Sequence, residues 1–530
     1  MADPGTDETE ADVLIVGAGP TGLTLACDLA RNGVALRIID RDVAFNTASK
    51  AKTIQPRALE VLDDLGAAAP VVERGVVDIP MRFHGPDGSV TDKPGISARA
   101  SESFRTPYPD PVWIGQFDIE KALRARLAYL GGEVELATEA TGLEQDDTGV
   151  TVTTASGDIR ARYVVGTDGG KSTVRKLVGL PLVGETYESQ QWYLGDVRTA
   201  DLGRDHIHIW TSSAGMVGLT PLPGSDLWQM QSPIPPEVET PAEPSLELYQ
   251  SMLDDRAGTG AVTLTDASWL SAPKVNVRMV ERYRSGRVLL AGDAAHVHSP
   301  AGGQGMNTGI QDAYNLGWKL AAVLRGAHDA LLDTYTTERA PVARAVLADS
   351  TGKMQHTLST ASGTDGRLSG ALRSLADDTT SGLPIAYLDS PITLADERDV
   401  HATLPAGCRA PDARGLRGQN PDGAPFAGSL FDLFRGTHWT LLVFDHAGEL
   451  LLDKAKPDHM RVHRIGEHGG ATLRDVDGEA HAHYAPRAGE LVLVRPDGYI
   501  AARGPAAAEM RMIELLGAYR PETRPTRRPV

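Results

Sequence analysis

Three short apolar runs, far apart in the chain, each lead into a glycine: Val13-Leu-Ile-Val16 before Gly17, Tyr163-Val-Val165 before Gly166, and Val288-Leu-Leu-Ala291 before Gly292. Runs this short with no polar alternation predict strands of a parallel sheet covered on both faces. Ala35 to Ile39 reads as a further strand of the same kind. Helical spacing follows, predicting helices over Pro20–Arg31, Pro56–Leu65, Asp118–Leu130 and Met306–Leu324. The last carries Ile310, Ala313, Leu316, Leu320 and Leu324 on one face and stops at Gly326. A helix over Leu331–Val346 contains Pro341, which is expected to kink or break it.

The texture changes twice. Residues 81–111 and 184–275 have little helical periodicity and many Pro and Gly punctuations, with strand-like pieces such as His206–Trp210 and Leu227–Gln231. They read as a sheet-rich domain inserted into a discontinuous nucleotide-binding domain made of 1–80, 112–183 and 276–355. Past a pattern-poor stretch at 355–425, a third α/β unit is expected within 400–530, with strands at Trp439–Phe444, Arg461–Ile465, Leu491–Val494 and Tyr499–Ala502. The expected fold class is therefore α/β (α+β).

Composition narrows the function classes. At 530 residues two or three domains are expected, and 41% hydrophobic with 23% charged residues is the balance of a globular protein. A net charge of −18 argues against nucleic acid or an anionic membrane as partner. No apolar run is long enough to span a bilayer. Met1 to Glu10 is acidic and polar, unlike a secretory signal, and reads as a disordered lead-in; the Arg/Pro-rich Arg520 to Val530 reads as frayed chain. Two cysteines, Cys27 and Cys408, with no CxxC, exclude a disulfide framework and a cysteine-based metal site, and fit a reducing cytoplasmic setting.

Chemistry enters at the glycines. In Gly17-Ala-Gly19-Pro20-Thr21-Gly22, Gly17 permits a tight turn, Gly19 lets backbone approach a pyrophosphate, and Gly22 lets helix and strand pack closely. The helix then points its amide groups and positive dipole end at the phosphates. Asp40, with Arg41 behind it, ends the second strand where a carboxylate can accept ribose hydroxyls. Asp168-Gly169 follows another strand and doubles as a turn dipeptide before a helix capped by Ser172. Gly292-Asp293 ends a third strand, where a carboxylate can meet a ribityl hydroxyl. Next come Pro300, Gly302, Gly303, Gly305, Met306 and Asn307, whose backbone can present amides to a flavin edge that becomes anionic on reduction. His296 reads as structural rather than catalytic. Together these three signals point to a flavoprotein that holds FAD with dispersed parts of the chain.

Gly17–Gly22, Asp168-Gly169 and Gly292-Asp293 resemble the three FAD motifs of the class A flavoprotein aromatic hydroxylases, the para-hydroxybenzoate hydroxylase fold. Gln116-Phe-Asp-Ile-Glu120, Pro56-Arg57-Ala-Leu-Glu60 and Tyr335-Thr-Thr-Glu338-Arg339 resemble the branch that acts on aromatic polyketides. Val494-Arg495-Pro496-Asp497-Gly498-Tyr499 resembles that branch's thioredoxin-like C-terminal domain. The resemblance implies a Rossmann-like FAD domain and Gln116 among the cofactor contacts. It further implies reduction of FAD by NADPH (or NADH), addition of O2 at flavin C4a, and transfer of one oxygen atom from the hydroperoxide to an electron-rich polycyclic ring. Many relatives carry arginine near the flavin where this chain reads Ala48-Ser49-Lys50-Ala51, so Lys50 keeps the charge without the planar fork. No catalytic side chain is named at this level. Trp210, Met216, Leu219, Pro221, Trp228 and Met230 alternate with polar residues in the inserted domain and are expected to line the substrate pocket. Baeyer–Villiger oxidation or epoxidation on the same scaffold, or a flavin-binding protein with little turnover, stay open, as does a homodimer. The WxWxIP element of flavin-dependent halogenases is absent.

Overall fold

A computed structural model describes residues 11–95, 99–235, 238, 241–298, 303–361, 377–394, 404–420, 422–446, 448–452, 459–466 and 472–518. Its first sheet has at its centre four parallel neighbours in the order Val288–Leu290, Gly157–Gly166, Ala11–Val16 and Leu36–Ile39, with Val134–Glu135 beyond. The register sets Val16 beside both Gly166 and Ile39, and Gly166 beside Leu290, so the strands end level. Leu14, Ile15, Val164, Val165, Leu289 and Leu290 are fully buried, as a sheet covered on both faces requires. Helix Pro20–Arg31 packs against both Gln116–Tyr129 and Gln304–Leu324 beside this sheet.

The second sheet is largely antiparallel and takes in Met81–His84, Val90–Lys93, Val183–Arg198, Ile207–Ser212, Gly215–Pro221, Trp228–Ile234 and Asp266–Ser271. It extends past the expected boundary at 275, adding Lys274–Met279 and His296–Val297. A helix that the weak periodicity did not predict, Leu246–Ala257, covers one face of it. Only Tyr249, Met252 and Leu253 of that helix are buried, at i, i+3 and i+4, too narrow a stripe to stand out in the sequence.

The third sheet orders Pro425–Gly428, Leu416–Gln419, Leu473–Asp475, Met460–Ile465, Trp439–Phe444, Glu490–Val494 and Ile500–Pro505. Its alternation serves two cores. Trp439, Leu441, Val443, Leu491 and Leu493 join the core of the first sheet, whereas Leu442, Phe444, Val492 and Val494 pack with Leu416, Leu430 and Tyr484. Trp318 meets Trp439 edge to face, with ring centres 5.6 Å apart.

Pro341 breaks nothing: the helix runs unbroken from Asp333 to Ala361. The carbonyl that loses its partner belongs to Thr337, and both residues are exposed, so the carbonyl is open to solvent. The same helix carries Glu338, buried, which accepts hydrogen bonds from Arg495 at 2.6 and 2.9 Å and from Lys319 at 2.7 Å. Asp497 holds the other side of the Arg495 guanidinium at 2.5 Å, and its backbone carbonyl accepts from Arg57 at 2.6 Å. These bonds clamp the third sheet to the nucleotide-binding body. Among the described residues, no helix is long and apolar enough to cross a membrane and no cluster of His, Cys, Asp or Glu is arranged to hold a metal ion. Met1–Glu10 and Arg520–Val530 lie outside the described residues.

Removing one partner of a buried ion pair strands the others, at a cost of about 3–5 kcal/mol. Glu338→Ala is therefore expected to lower unfolding free energy by about that much, read by chemical denaturation. A change under about 1 kcal/mol would show that the clamp carries no weight. Arg495 and Lys319 outweigh burial and hold the Glu338 carboxyl far below the ordinary glutamate range. Its share of stability is therefore fully present above that range and is lost progressively as pH falls below it toward the lowered folded value.

Candidate functional site

The level strand ends open onto one cavity of about 560 Å³. Gly17 has φ +106°, and a Cβ there would lie 2.6 Å from the Thr167 carbonyl oxygen, so no other residue fits. Gly22 is tighter still, since its Cβ would fall 2.0 Å from the Gly17 carbonyl oxygen. At Gly19 no heavy atom lies within 4 Å of a Cβ; the turn leaves space there for something else. The Thr167 hydroxyl ties the neighbouring strands together by donating to Gly17 and Val16 carbonyls at 2.7 and 3.0 Å.

Asp40 accepts the Ala18 amide at 2.7 Å and the Asp42 amide at 2.9 Å, so its carboxylate braces the glycine turn from the cavity wall. Asp168 is likewise engaged, accepting from Ser172 Oγ at 2.5 Å and from the amides of Thr173 and Val174 at 2.6 and 3.1 Å. Ser172 caps the helix as expected, accepting the Arg175 amide at 3.0 Å, and the Asp168 carboxylate adds a second cap that was not foreseen. Asp293 differs: its side chain is open to the cavity though surrounded by protein, and desolvation raises its pKa. Beside it, Gly303 in a left-handed conformation (φ +60°) starts the helix Gln304–Leu324, two residues earlier than expected.

Of the residues expected to bind the cofactor, Gly17, Gly19, Pro20, Thr21, Asp40, Arg41, Lys50, Gln116, Asp168, Gly169, Asp293, Gly303, Gly305 and Met306 line this cavity. Three stand behind the wall. Gly22 lets helix and turn meet, and a Cβ on Gly292 would strike the Thr21 hydroxyl at 2.6 Å. Asn307 accepts the Gln55 amide at 2.8 Å and donates to the Thr53 and Gly303 carbonyls, tying a loop to the helix start. Pro300 and Gly302 lie outside the described residues. His296 is fully buried and bonded to Asp312 at 2.5 Å, which also holds Arg339 at 2.7 Å; it is part of the scaffold.

The expected substrate residues need correction. Met216 alone of the six lines the cavity. Trp210, Leu219, Trp228 and Met230 belong to the core between the second sheet and helix Leu246–Ala257. Pro221, next to Trp228 in the ladder, is buried and is not in the cavity wall. A strand has two faces, and here the apolar one meets the covering helix while the mixed one meets the cavity. Sequence reasoning therefore missed Trp192, Leu194, Gln229 and Gln231, which line it. The ladder pairs Leu194 with Gln231 and Asp196 with Gln229. Buried Asp196 accepts the Ser49 amide at 2.6 Å and its hydroxyl, and Ser49 Oγ accepts from Gln229 at 2.7 Å. Glutamines in the interior of a strand were the available signal, since buried polar side chains need partners.

FAD fits this cradle. Two helices, Pro20–Arg31 and Gln304–Leu324, begin on the same cavity, which suits an anionic pyrophosphate and an anion-forming ring edge. The free space over Gly19 admits a phosphate, and among the described residues no donor occupies the Asp293 carboxylate. Gly19→Val should therefore keep the melting temperature of the flavin-free parent yet purify without flavin, whereas a yellow variant would place the cofactor elsewhere. Asp293→Ala should weaken flavin binding by about 1–3 kcal/mol, roughly 5- to 150-fold in Kd, measured by fluorescence titration. An unchanged Kd would remove Asp293 from the contact.

Comparison with known proteins agrees. Residues 10–350 match the model described as an FAD binding domain, and residues 404–519 match the aromatic-ring hydroxylase C-terminal domain. A flavin-dependent monooxygenase of Mycobacteroides abscessus is 38% identical over 507 residues, 92% of this chain and 96% of that protein. A 6-methylpretetramide 4-monooxygenase of Streptomyces rimosus is 36% identical over 93% of this chain and 91% of its own length. The solved ternary complex of aklavinone-11 hydroxylase with FAD and aklavinone superposes with a TM-score of 0.79 at 27% identity, covering 97% of this chain and 99% of that one. The chain belongs to the FAD-binding aromatic-ring hydroxylases, a family of flavin-dependent monooxygenases.

Proposed function

We propose that this protein is a single-component monooxygenase that uses NADPH and O2 to hydroxylate a polycyclic aromatic of the polyketide type. One observation carries the reading. The glycine-turn cradle and the mixed face of the second sheet wall the same cavity, so a cofactor and a flat aromatic share one enclosure. Relatives named for 6-methylpretetramide and aklavinone support the size and class of the substrate.

When bound, FAD supplies the two-electron chemistry that activates O2 and yields one electrophilic oxygen atom. The chain does the rest. The Pro20 helix start and the Gly19 space hold the phosphates, while Asp293 and the amides opening the Gln304 helix orient the ring system. Trp113, Trp192, Leu194 and Met216 wall off water around the aromatic, and Gln229 and Gln231 offer hydrogen bonds to its oxygen substituents. Among the described residues there is no second dinucleotide-binding sheet, so a nicotinamide would have to approach the flavin through this same cavity. A reducing cytoplasm suits the buried Cys27, whose thiol burial pushes up to about 12. NADPH rather than NADH, and a homodimeric assembly, remain part of this proposal.

The test follows NADPH consumption by the flavin-loaded protein with a panel of polycyclic phenols, and then identifies products by mass and NMR. A substrate-dependent rate with one added oxygen on a ring carbon is expected. An oxygen inserted into a carbon–carbon bond would reassign the reaction to the Baeyer–Villiger type. Background oxidation with every aromatic would contradict the substrate class.

A further inference from the structure

The substrate half of the cavity contains a cation that none of the motifs explains. Lys52, on the loop after Lys50, lines the cavity and reaches the second sheet, where Nζ donates to Gln231 Oε1 at 3.1 Å and Thr220 Oγ1 at 3.3 Å. Both partners are neutral, and an ammonium has a third proton to give. Asp196, the carboxylate that acts on it, is already spent on the Ser49 amide and hydroxyl. The remaining neighbours from the second sheet, Gln229 and Met216, carry no charge. Across the cavity, Asp293 and His298 belong to the cofactor side, and Lys50 adds a like charge from the same loop. Trp192 stands on the same wall and adds apolar ring surface.

A buried cation whose hydrogen-bond partners are neutral is a receptor for an anionic oxygen. Resting on the substrate class proposed above, we infer that Lys52 holds the ionised phenolic oxygen of the aromatic substrate and so makes it a catalytic residue's ligand during oxygen transfer. The O–H bond of the phenol breaks and its electron pair stays on oxygen. The proton passes to Nζ where the amine is neutral, or to bulk water where it is already an ammonium. Nothing is oxidised in this step. Its consequence is chemical: a phenolate pushes charge into the ring, which then meets an electrophilic oxygen more readily. Burial lowers the Lys52 pKa to about 8, so the empty site disfavours the charge that a bound anion restores. By reciprocity the lysine lowers the pKa of the phenol it binds.

Alizarin, a dihydroxyanthraquinone whose anion absorbs at longer wavelength, reads this directly when titrated into the flavin-loaded protein across pH. The dye bound to the wild-type protein should ionise at least about one pH unit below the free dye, a tenfold change in its ionisation constant. Lys52→Met should return the midpoint to that of the free dye with flavin content unchanged, and Lys52→Arg should keep it low. Equal midpoints in wild type and Lys52→Met would overturn the assignment. Should Lys52→Met lose its flavin, the wild-type midpoint alone decides, and one equal to that of the free dye is contrary. Failure of the wild type to bind the dye would instead overturn the substrate class, and this inference with it.

Discussion

Everything at this site hangs on how closely the Pro20–Arg31 helix is allowed to approach the ends of three parallel strands. The Thr167 hydroxyl bonds to the carbonyls of Val16 and Gly17, which draws two strands and the turn together. Gly17 and Gly22 leave no room for a side chain at that junction, and Gly292 and Gly309 close on Thr21 from the third strand and from the Gln304–Leu324 helix. A single Cβ at any of these four positions would push one element off the others. Close approach also lets two helix starts open onto one cavity, each presenting its positive end to an anionic part of a ligand.

The cradle needs a rigid frame, and the frame is ionic where it crosses from one sheet to another. Glu338, Arg495, Asp497 and Lys319 are buried together, with equal numbers of positive and negative groups. Such a cluster contributes little net stability relative to apolar packing, but it tolerates only one docking geometry. Arg57, Glu60 and Arg409 form a second link of the same kind. The third sheet therefore behaves as a brace whose position is specified by charge pairing, while the Trp318–Trp439 contact and its neighbours supply apolar area.

How much of this could be read from residues alone depends on what each residue type was constrained by. Glycines at Gly17, Gly19 and Gly22 were legible as a spaced pattern, and their roles separated only in three dimensions: Gly17 and Gly22 leave no room for a Cβ, whereas Gly19 guards open space. The segments around Glu60, Glu338 and Arg495 were visible as patterns, but nothing local says that they meet, since the contacts span more than a hundred residues. The substrate wall was misread at Trp228 and Met230 because alternation reveals two faces without saying which one is covered by a helix. Helix Leu246–Ala257 decided that question, and its own buried stripe is three residues wide. Lys52 escaped notice because a lone lysine in a loop normally points to water, and only the approach of the second sheet encloses it.

The central claim is that one cavity holds the flavin over the glycine turn and an aromatic ring against the mixed face of the second sheet. A crystal structure of the protein with FAD and a hydroxyanthraquinone tests it most directly. The account predicts the pyrophosphate over Gly19, and the aromatic between the flavin and Trp192, Gln229 and Gln231. An aromatic bound outside this cavity, or a flavin whose pyrophosphate lies away from the Pro20 helix start, would contradict it.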